Sequence, residues 1–220
     1  MPLTRRLSTG PLIAAIFVGQ VLGMAGAMSF PALLPSFQRL WSLSGAQSGF
    51  VSGVYFAGYL VGVPVLSTLT DRVDPRRIYI GSLFLGAAAA AGFALLAHGV
   101  LSALLWRFLQ GLGFGGTHMP GLRALSDVVP LSRQPRAVAV YTATFTVGAS
   151  LSFAFSGALA AAFGWRAGFL LLALGPLCGA APAACRIRLA AAAAHTLRQP
   201  PRLSLCRRLC AAQRREFADP

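Results

Sequence analysis

Arg107 stands inside a long apolar stretch, and this position limits the chemistry that it can perform. Only 15 uncharged residues separate Arg107 from Arg123, about 22 Å of helix, which is too short to cross a hydrocarbon core of about 30 Å. The helix must therefore begin earlier, near Leu101, and Arg107 must lie within the membrane. A mid-membrane arginine costs about 2.5–3.5 kcal/mol on insertion scales, so we expect it to face a bundle interior and attract anions or couple charge. The alternative is snorkelling of the side chain to the outer interface.

A second concentration of charge lies between two uncharged runs. Residues 40–70 and 78–106 contain no charged side chain, whereas Asp71, Arg72, Asp74, Arg76 and Arg77 place five charges within seven residues. Such a pattern indicates a short aqueous turn between two membrane spans. Proline at position 75 fixes its own φ, and the preceding aspartate suits a turn.

The composition excludes a soluble domain. Charged residues make up 11% of the chain and apolar residues 56%, with a mean hydropathy of +0.67. The net charge of +14 comes from 19 arginines placed between apolar runs and at the C-terminus. A nucleic-acid-binding face needs a basic stripe on a water-exposed fold, so no nucleic-acid partner is expected. The fold class predicted is an all-α polytopic membrane protein embedded in a lipid bilayer.

The apolar runs predict six membrane helices. Their predicted ranges are about 11–34, 46–68, 78–97, 101–125, 137–162 and 167–184. The predicted organisation is therefore an N-terminus over residues 1–10, a six-helix bundle over 11–185 and a basic, disordered tail over 186–220. Two sets of three helices would suit the 3+3 repeats of membrane carriers.

The distribution of arginine predicts the orientation. With the N-terminus inside, the inner face holds eight arginines before the tail and eight more within it, against Arg39 and Arg166 on the outer face. The positive-inside rule then places both termini in the cytoplasm, with the protein in the plasma (inner) membrane.

Three motifs resemble those of major facilitator superfamily transporters. Leu69, Asp71, Arg72, Arg76 and Arg77 match the loop pattern Gly-x-Leu-x-Asp-Arg-x-Gly-Arg-Arg, although Ser67 and Asp74-Pro75 replace its glycines. The stretch from Arg107 through Gln110-Gly111 to Gly113 matches the fourth-helix pattern Arg-x-x-Gln-Gly-x-Gly. A Gly-Trp-Arg turn at residues 164–166 looks like the link between the fifth and sixth helices.

The resemblance implies the N-terminal six-helix half of a secondary carrier for a small, possibly anionic solute. It implies a translocation path at Arg107, Gln110, Gly111, Gly115 and Gln20, and a cytoplasmic gate loop at Asp71, Arg72, Arg76 and Arg77. A second six-helix half, or a homodimer, would complete the carrier. We expect a truncated chain, through a frameshift near Cys178, because the Arg-, Ala- and Pro-rich tail contains no further span.

Other chemistry has little support in the sequence. The five acidic residues all lie outside the predicted spans, so proton coupling has no membrane carboxylate. His118, near the inner end of the fourth helix, is a weak candidate for that role and is rather expected to be a solvated residue at the helix edge. The cysteines and His195 do not form a metal-binding pattern, and no cofactor is predicted. A six-span homodimer subunit and a non-functional fragment remain alternatives. An intramembrane enzyme is not supported, since the fourth helix offers only Ser102 as nucleophile and the sixth has no histidine.

Overall fold

The computed structural model describes residues 9–70, 72–73 and 75–198, and within these ranges the regular structure is entirely helical. The elements are α1 (Thr9–Gly23), α2 (Ser29–Ala32), α3 (Leu34–Trp41), α4 (Gly45–Leu69), α5 (Pro75–Leu96), α6 (Val100–Val128), a 3₁₀ turn (Leu131–Arg133) and α7 (Gln134–Arg198). The all-α polytopic fold is thus confirmed. The six predicted helices correspond to α1–α3, α4, α5, α6 and two limbs of α7.

The two limbs of α7 form a hairpin around Gly164. Its φ of 83° and ψ of 160° lie in a region that is open essentially to glycine alone. Beyond this residue the chain turns back, so that Gly168 lies against Leu159 and Ala160 of the preceding limb. The predicted reversal at residues 163–166 is therefore confirmed.

Three described segments are long and apolar enough to cross a membrane: Gly45–Leu69, Arg77–Leu96 and Leu131–Gly179. The third covers 49 residues and contains both limbs of α7 up to residue 179. Helix α6 has 29 residues, about 43 Å, and carries Arg107 in its second turn.

The first helix differs from the prediction. A continuous helix over 11–34 was expected, but α1 ends at Gly23, residues 24–28 form turns, and α2 begins at Ser29. Pro31 contributes to the break because it has no N–H, so the carbonyl of Ala27 lacks its helical partner. The segment between the first two predicted helices, residues 35–45, is likewise helical in part, since α3 extends to Trp41 and buries Phe37.

The C-terminal part also differs. A disordered tail was predicted from residue 186, whereas α7 continues to Arg198. The run of five alanines at residues 190–194 explains this extension, because alanine has the highest helix propensity. Residues 199–220 lie outside the described part of the chain.

Aromatic side chains close one end of the bundle. Phe37 and Phe93 are fully buried, and their ring centroids lie 5.7 Å apart in an edge-to-face arrangement. Phe169 stacks on Phe93 at 4.5 Å, and Trp165 meets Phe37 at 5.2 Å. These contacts join α3, α5 and the second limb of α7, so the end opposite the charged turn at residues 70–74 is held by aromatic packing.

Glycines bring α4 and α6 into backbone contact. A Cβ on Gly111 would overlap the carbonyl oxygen of Tyr55, and a Cβ on Gly62 would lie 2.8 Å from the carbonyl oxygen of Leu112. Small residues on both helices therefore allow an approach that any side chain would prevent. This contact sets the orientation of α6 about its own axis, and with it the direction of the face that carries Arg107.

Candidate functional site

Arg107 lies in the interior of the bundle. Only 1% of its surface is exposed, and its guanidinium carbon sits 4.7 Å from the centre of the Tyr55 ring. The side chain does not extend toward an interface, so the snorkelling alternative is wrong. The prediction that the arginine faces the bundle interior is confirmed.

The guanidinium binds the broken part of the first helix. Its Nη2 donates to the carbonyl oxygen of Ala27 at 2.8 Å, and its Nη1 donates to Gly26 at 3.4 Å and to Gln110 Oε1 at 2.8 Å. The carbonyl that Pro31 leaves without a helical donor thus receives one from α6. Arg107 is a cap for a helix break that lies 80 residues away in sequence.

Other side chains complete the attachment of this break. Gln110 Nε2 donates to the carbonyl oxygen of Gly26 at 3.3 Å, and Ser29 Oγ donates to the same oxygen at 2.6 Å. From α7, Ser152 Oγ donates to the carbonyl of Ala25 at 2.8 Å and accepts from the Met28 N–H at 3.0 Å. Side chains from α6 and α7 therefore replace the backbone hydrogen bonds that the break removes.

The charge of Arg107 has no carboxylate partner among the described residues. Of the five acidic residues, those at positions 71, 74, 216 and 219 lie outside the described part of the chain, and Asp127 lies at the far end of α6 from Arg107. Its Nε is buried without a hydrogen-bond partner in the described structure. Carbonyl dipoles compensate a cation only in part, so the bundle interior keeps a positive potential.

A small cavity adjoins this network. It has a volume of about 20 Å³ and is lined by residues that include Gly26, Ala27, Tyr55, Gln110 and Phe114. A space of this size holds about one water molecule, and an organic solute needs several hundred cubic ångströms. A solute that reaches Gln110 must therefore use space outside this cavity.

Gln20 lies in a second polar cluster. Its Nε2 lies 2.8 Å from His118 Nδ1, and Tyr141 Oη donates to Gln20 Oε1 at 2.9 Å and lies 3.2 Å from the His118 carbonyl oxygen. The expectation of a solvated His118 is wrong, because only 9% of this residue is exposed. His118 lies between α1, α4 and α7, and these contacts between helices distant in sequence could not be read from the sequence.

Gly111 and Gly115 lie at the contact between α4 and α6, a position different from the predicted one. Both were assigned to a translocation path, but Gly111 lies against the Tyr55 backbone and Gly115 against the backbone of Gly62 and Val63. Neither lines the cavity beside Arg107. Their small size serves the contact between α4 and α6.

Only part of the charged turn can be located. Arg72 and Arg77 are exposed. Asp71 and the side chain of Arg76 lie outside the described residues. Within the described part of the chain, no group of three or more His, Cys, Asp or Glu side chains could hold a metal ion.

A sequence model described as Major Facilitator Superfamily matches residues 16–209. The chain belongs to this superfamily. The match includes α2–α6 and continues beyond residue 185, where the predicted bundle ended. This superfamily comprises integral membrane transporters, not enzymes.

Several curated transporters of this superfamily are similar in sequence. The niacin transporter NiaP of Acinetobacter baylyi is 26% identical over 63% of this chain and 31% of its own length. The hexuronate transporter of Bacillus subtilis is 25% identical over 74% of this chain and 38% of its own length. The gentisate transporter of Corynebacterium glutamicum is 25% identical over 81% and 41%. The matched part of this chain thus spans less than half the length of each of these superfamily transporters.

Proposed function

We propose that the chain forms one six-helix half of a secondary carrier for small organic anions. The observation that supports this proposal is the buried guanidinium of Arg107, which has no carboxylate partner in the described structure. An anion that approaches the bundle interior gains from this charge, whereas a cation is repelled. Arg107 and Gln110 are the residues proposed to act on the solute.

Three of the similar transporters are named for organic acids, whereas another is named for organic cations and carnitine. Niacin, hexuronates and gentisate, which are named for three of them, all carry a carboxylic acid group that is ionised near neutral pH. A carboxylate is also a group that a guanidinium binds through two parallel hydrogen bonds.

We propose that the turn around Asp71 is a cytoplasmic gate. Arg72 and Arg77 are exposed where α4 ends and α5 begins, ready to contact acidic groups or anionic lipid. A cleft of about 540 Å³ beside this turn runs between the ends of α4 and α6, from Thr68 to Ser126. The excess of arginine on this side also underlies the proposal that both termini are cytoplasmic in the inner membrane.

A second six-helix unit is the proposed partner. The small residues Ala46, Gly49, Gly53 and Ala57 recur along an exposed face of α4, where a Cβ on either glycine would meet no atom within 4 Å. With Phe50 and Leu104 they line a groove of about 460 Å³. Small residues at this spacing allow close packing of another membrane helix. The unit could be a separate second half or another copy of this chain, and a chain without either would be a non-functional fragment.

We expect a side chain that fills the groove on α4 to weaken pairing between two copies of the chain. Gly53→Leu fills the groove, so we expect crosslinked pairs of the chain in liposomes to fall several-fold. Gly81→Leu, on α5 at another exposed position where a Cβ would meet no atom within 4 Å, is the matched control. Equal crosslinking of both variants and the unmodified chain would exclude this groove as the pairing site between copies.

Uptake of matched solutes tests the carrier proposal. Nicotinate and nicotinamide share size and ring but differ in charge, as do glucuronate and glucose. We expect liposomes that contain paired chains to accumulate the acid of at least one pair more than tenfold over its neutral counterpart. Preferred uptake of the neutral compounds would contradict anion selection, and no uptake by a chain that forms crosslinked pairs would contradict transport.

A further inference from the structure

His118 is a buried titratable group held by a side-chain hydrogen bond. In the structure the amide Nε2 of Gln20 faces the Nδ1 of His118 at 2.8 Å, so Nδ1 is the unprotonated acceptor in this arrangement. The imidazole is therefore neutral, with its proton on Nε2. Tyr141 Oη, which donates to Gln20 Oε1, holds the amide in this orientation.

The same side chains can serve the charged form. If a proton binds Nδ1 and the Gln20 amide rotates by half a turn, Oε1 accepts from His118 Nδ1–H. The amide Nε2 then faces Tyr141 Oη, which accepts from it, while the Tyr141 hydroxyl donates to the His118 carbonyl that lies 3.2 Å away. The Gln20 amide, the Tyr141 hydroxyl and the His118 Nδ1 thus have partners in both states, which avoids the cost of leaving these groups unpaired.

Aromatic ring faces around His118 offset part of the cost of burying its charged form. Tyr141 from α7 stacks on the imidazole at 5.3 Å, and Phe114 lies 5.9 Å away on α6. Faces of aromatic rings within about 6 Å attract a cation. Phe145 from α7 completes the enclosure at 6.4 Å.

Among the charged and titratable groups around the imidazole ring, His118 itself is the group that can accept a proton at neutral pH. Tyr59 faces it from α4 at 6.3 Å and Tyr141 from α7, while α1 contributes only the uncharged Gln20. On α6, Arg107 lies about 16 Å away along the helix axis, and Arg123 is exposed near the charged end. From α5, Tyr79 packs in the same cluster as Tyr141. No carboxylate is found near the ring in the described structure, and tyrosine and arginine keep their protons at neutral pH.

We propose that His118 is a proton-binding site of the carrier, with the Gln20 amide as its two-position partner. The proton comes from water, adds to Nδ1 to form the imidazolium, and returns to water when the amide rotates back. The site joins α1, α6 and α7, so we expect a change in its charge state to change how these helices pack. The role of this site in coupling rests on the proposed carrier function, whereas proton binding by His118 does not.

The test is ¹⁵N NMR of the full chain, labelled at histidine and held in lipid nanodiscs, because imidazole nitrogen shifts report tautomer and charge directly. The chain contains three histidines, and the variants His118→Gln and His98→Gln assign their signals. We expect His118 to be the Nε2–H tautomer at high pH and to become doubly protonated between about pH 8 and pH 5. A signal that stays neutral over this range, or a neutral form with its proton on Nδ1, would overturn the proposal.

The variant Gln20→Leu tests the amide. It removes the acceptor that the charged ring requires, and hydrogen bonds of charged groups are the stronger ones, so His118 should need about tenfold more protons to titrate. His98, which is exposed between α5 and α6 and bonded to the Leu96 carbonyl, is the internal control, because it lies outside the His118 cluster. An unchanged His118 titration in Gln20→Leu would overturn the role of the amide. The NMR titration needs no solute. Titration of His118 without solute uptake would therefore refute the carrier function and leave the proton site standing. Uptake without titration of His118 would refute the proton site and leave the carrier function standing.

Discussion

Replacing Arg107 with alanine should destabilise the bundle by about 2–4 kcal/mol and abolish anion uptake. The carbonyl of Gly26 keeps donors from Ser29 and Gln110, but that of Ala27 loses its donor, since Pro31 has no N–H. An unpaired buried carbonyl costs about 1–3 kcal/mol, and the cavity left by the side chain adds to this. Removal of a buried charge offsets part of the loss. Thermal unfolding in detergent, followed by tryptophan fluorescence, measures the change.

Arg107→Gln is the informative companion of this variant. Glutamine keeps an N–H donor for the first-helix break but carries no charge, so its stability should lie between those of the alanine variant and the unmodified chain. If Arg107→Ala unfolds at the same temperature as the unmodified chain, the arginine is not the cap that its hydrogen bonds indicate.

Substitution of Gly111 by alanine should prevent correct packing of α4 on α6. The added methyl group would overlap the carbonyl oxygen of Tyr55, and a helix backbone cannot move aside as a flexible side chain can. Overpacking costs typically 1–3 kcal/mol where side chains can adjust, so we expect about 3 kcal/mol or more here. The monodisperse fraction on size-exclusion chromatography after heating measures the loss.

Gly157→Ala is the matched control for this substitution. Gly157 lies in α7, where a Cβ would meet no atom within 4 Å, so its replacement adds the same methyl group without overlap. The account of the α4–α6 contact is wrong if the two variants survive heating equally well.

The sequence predicted the helices well where charge and hydropathy change sharply. Helices α4 and α5 begin and end within about three residues of the predicted limits, because uncharged runs border the charged turn at residues 71–77. The interior position of Arg107 followed from the short distance to Arg123 and from the cost of exposing a cation to lipid.

The partners of the site residues could not be predicted from the sequence. Pro31 signals a missing donor in the first helix, but which side chain replaces it depends on packing between helices distant in sequence. The bond between Gln20 and His118 joins residues 98 positions apart. The glycines near Arg107 suggested a path by their motif, whereas only the approach of α4 shows that Gly111 and Gly115 are contact positions.

The central claim is that the charge of Arg107 selects an anion, and the most direct test compares uptake of an organic acid and its uncharged amide. Both solutes are measured with the unmodified chain and with Arg107→Gln, in liposomes with equal amounts of inserted, paired protein. We predict that the unmodified chain takes up the acid more than tenfold faster than the amide, and that Arg107→Gln loses this preference. An unchanged preference for the acid in Arg107→Gln would contradict the account.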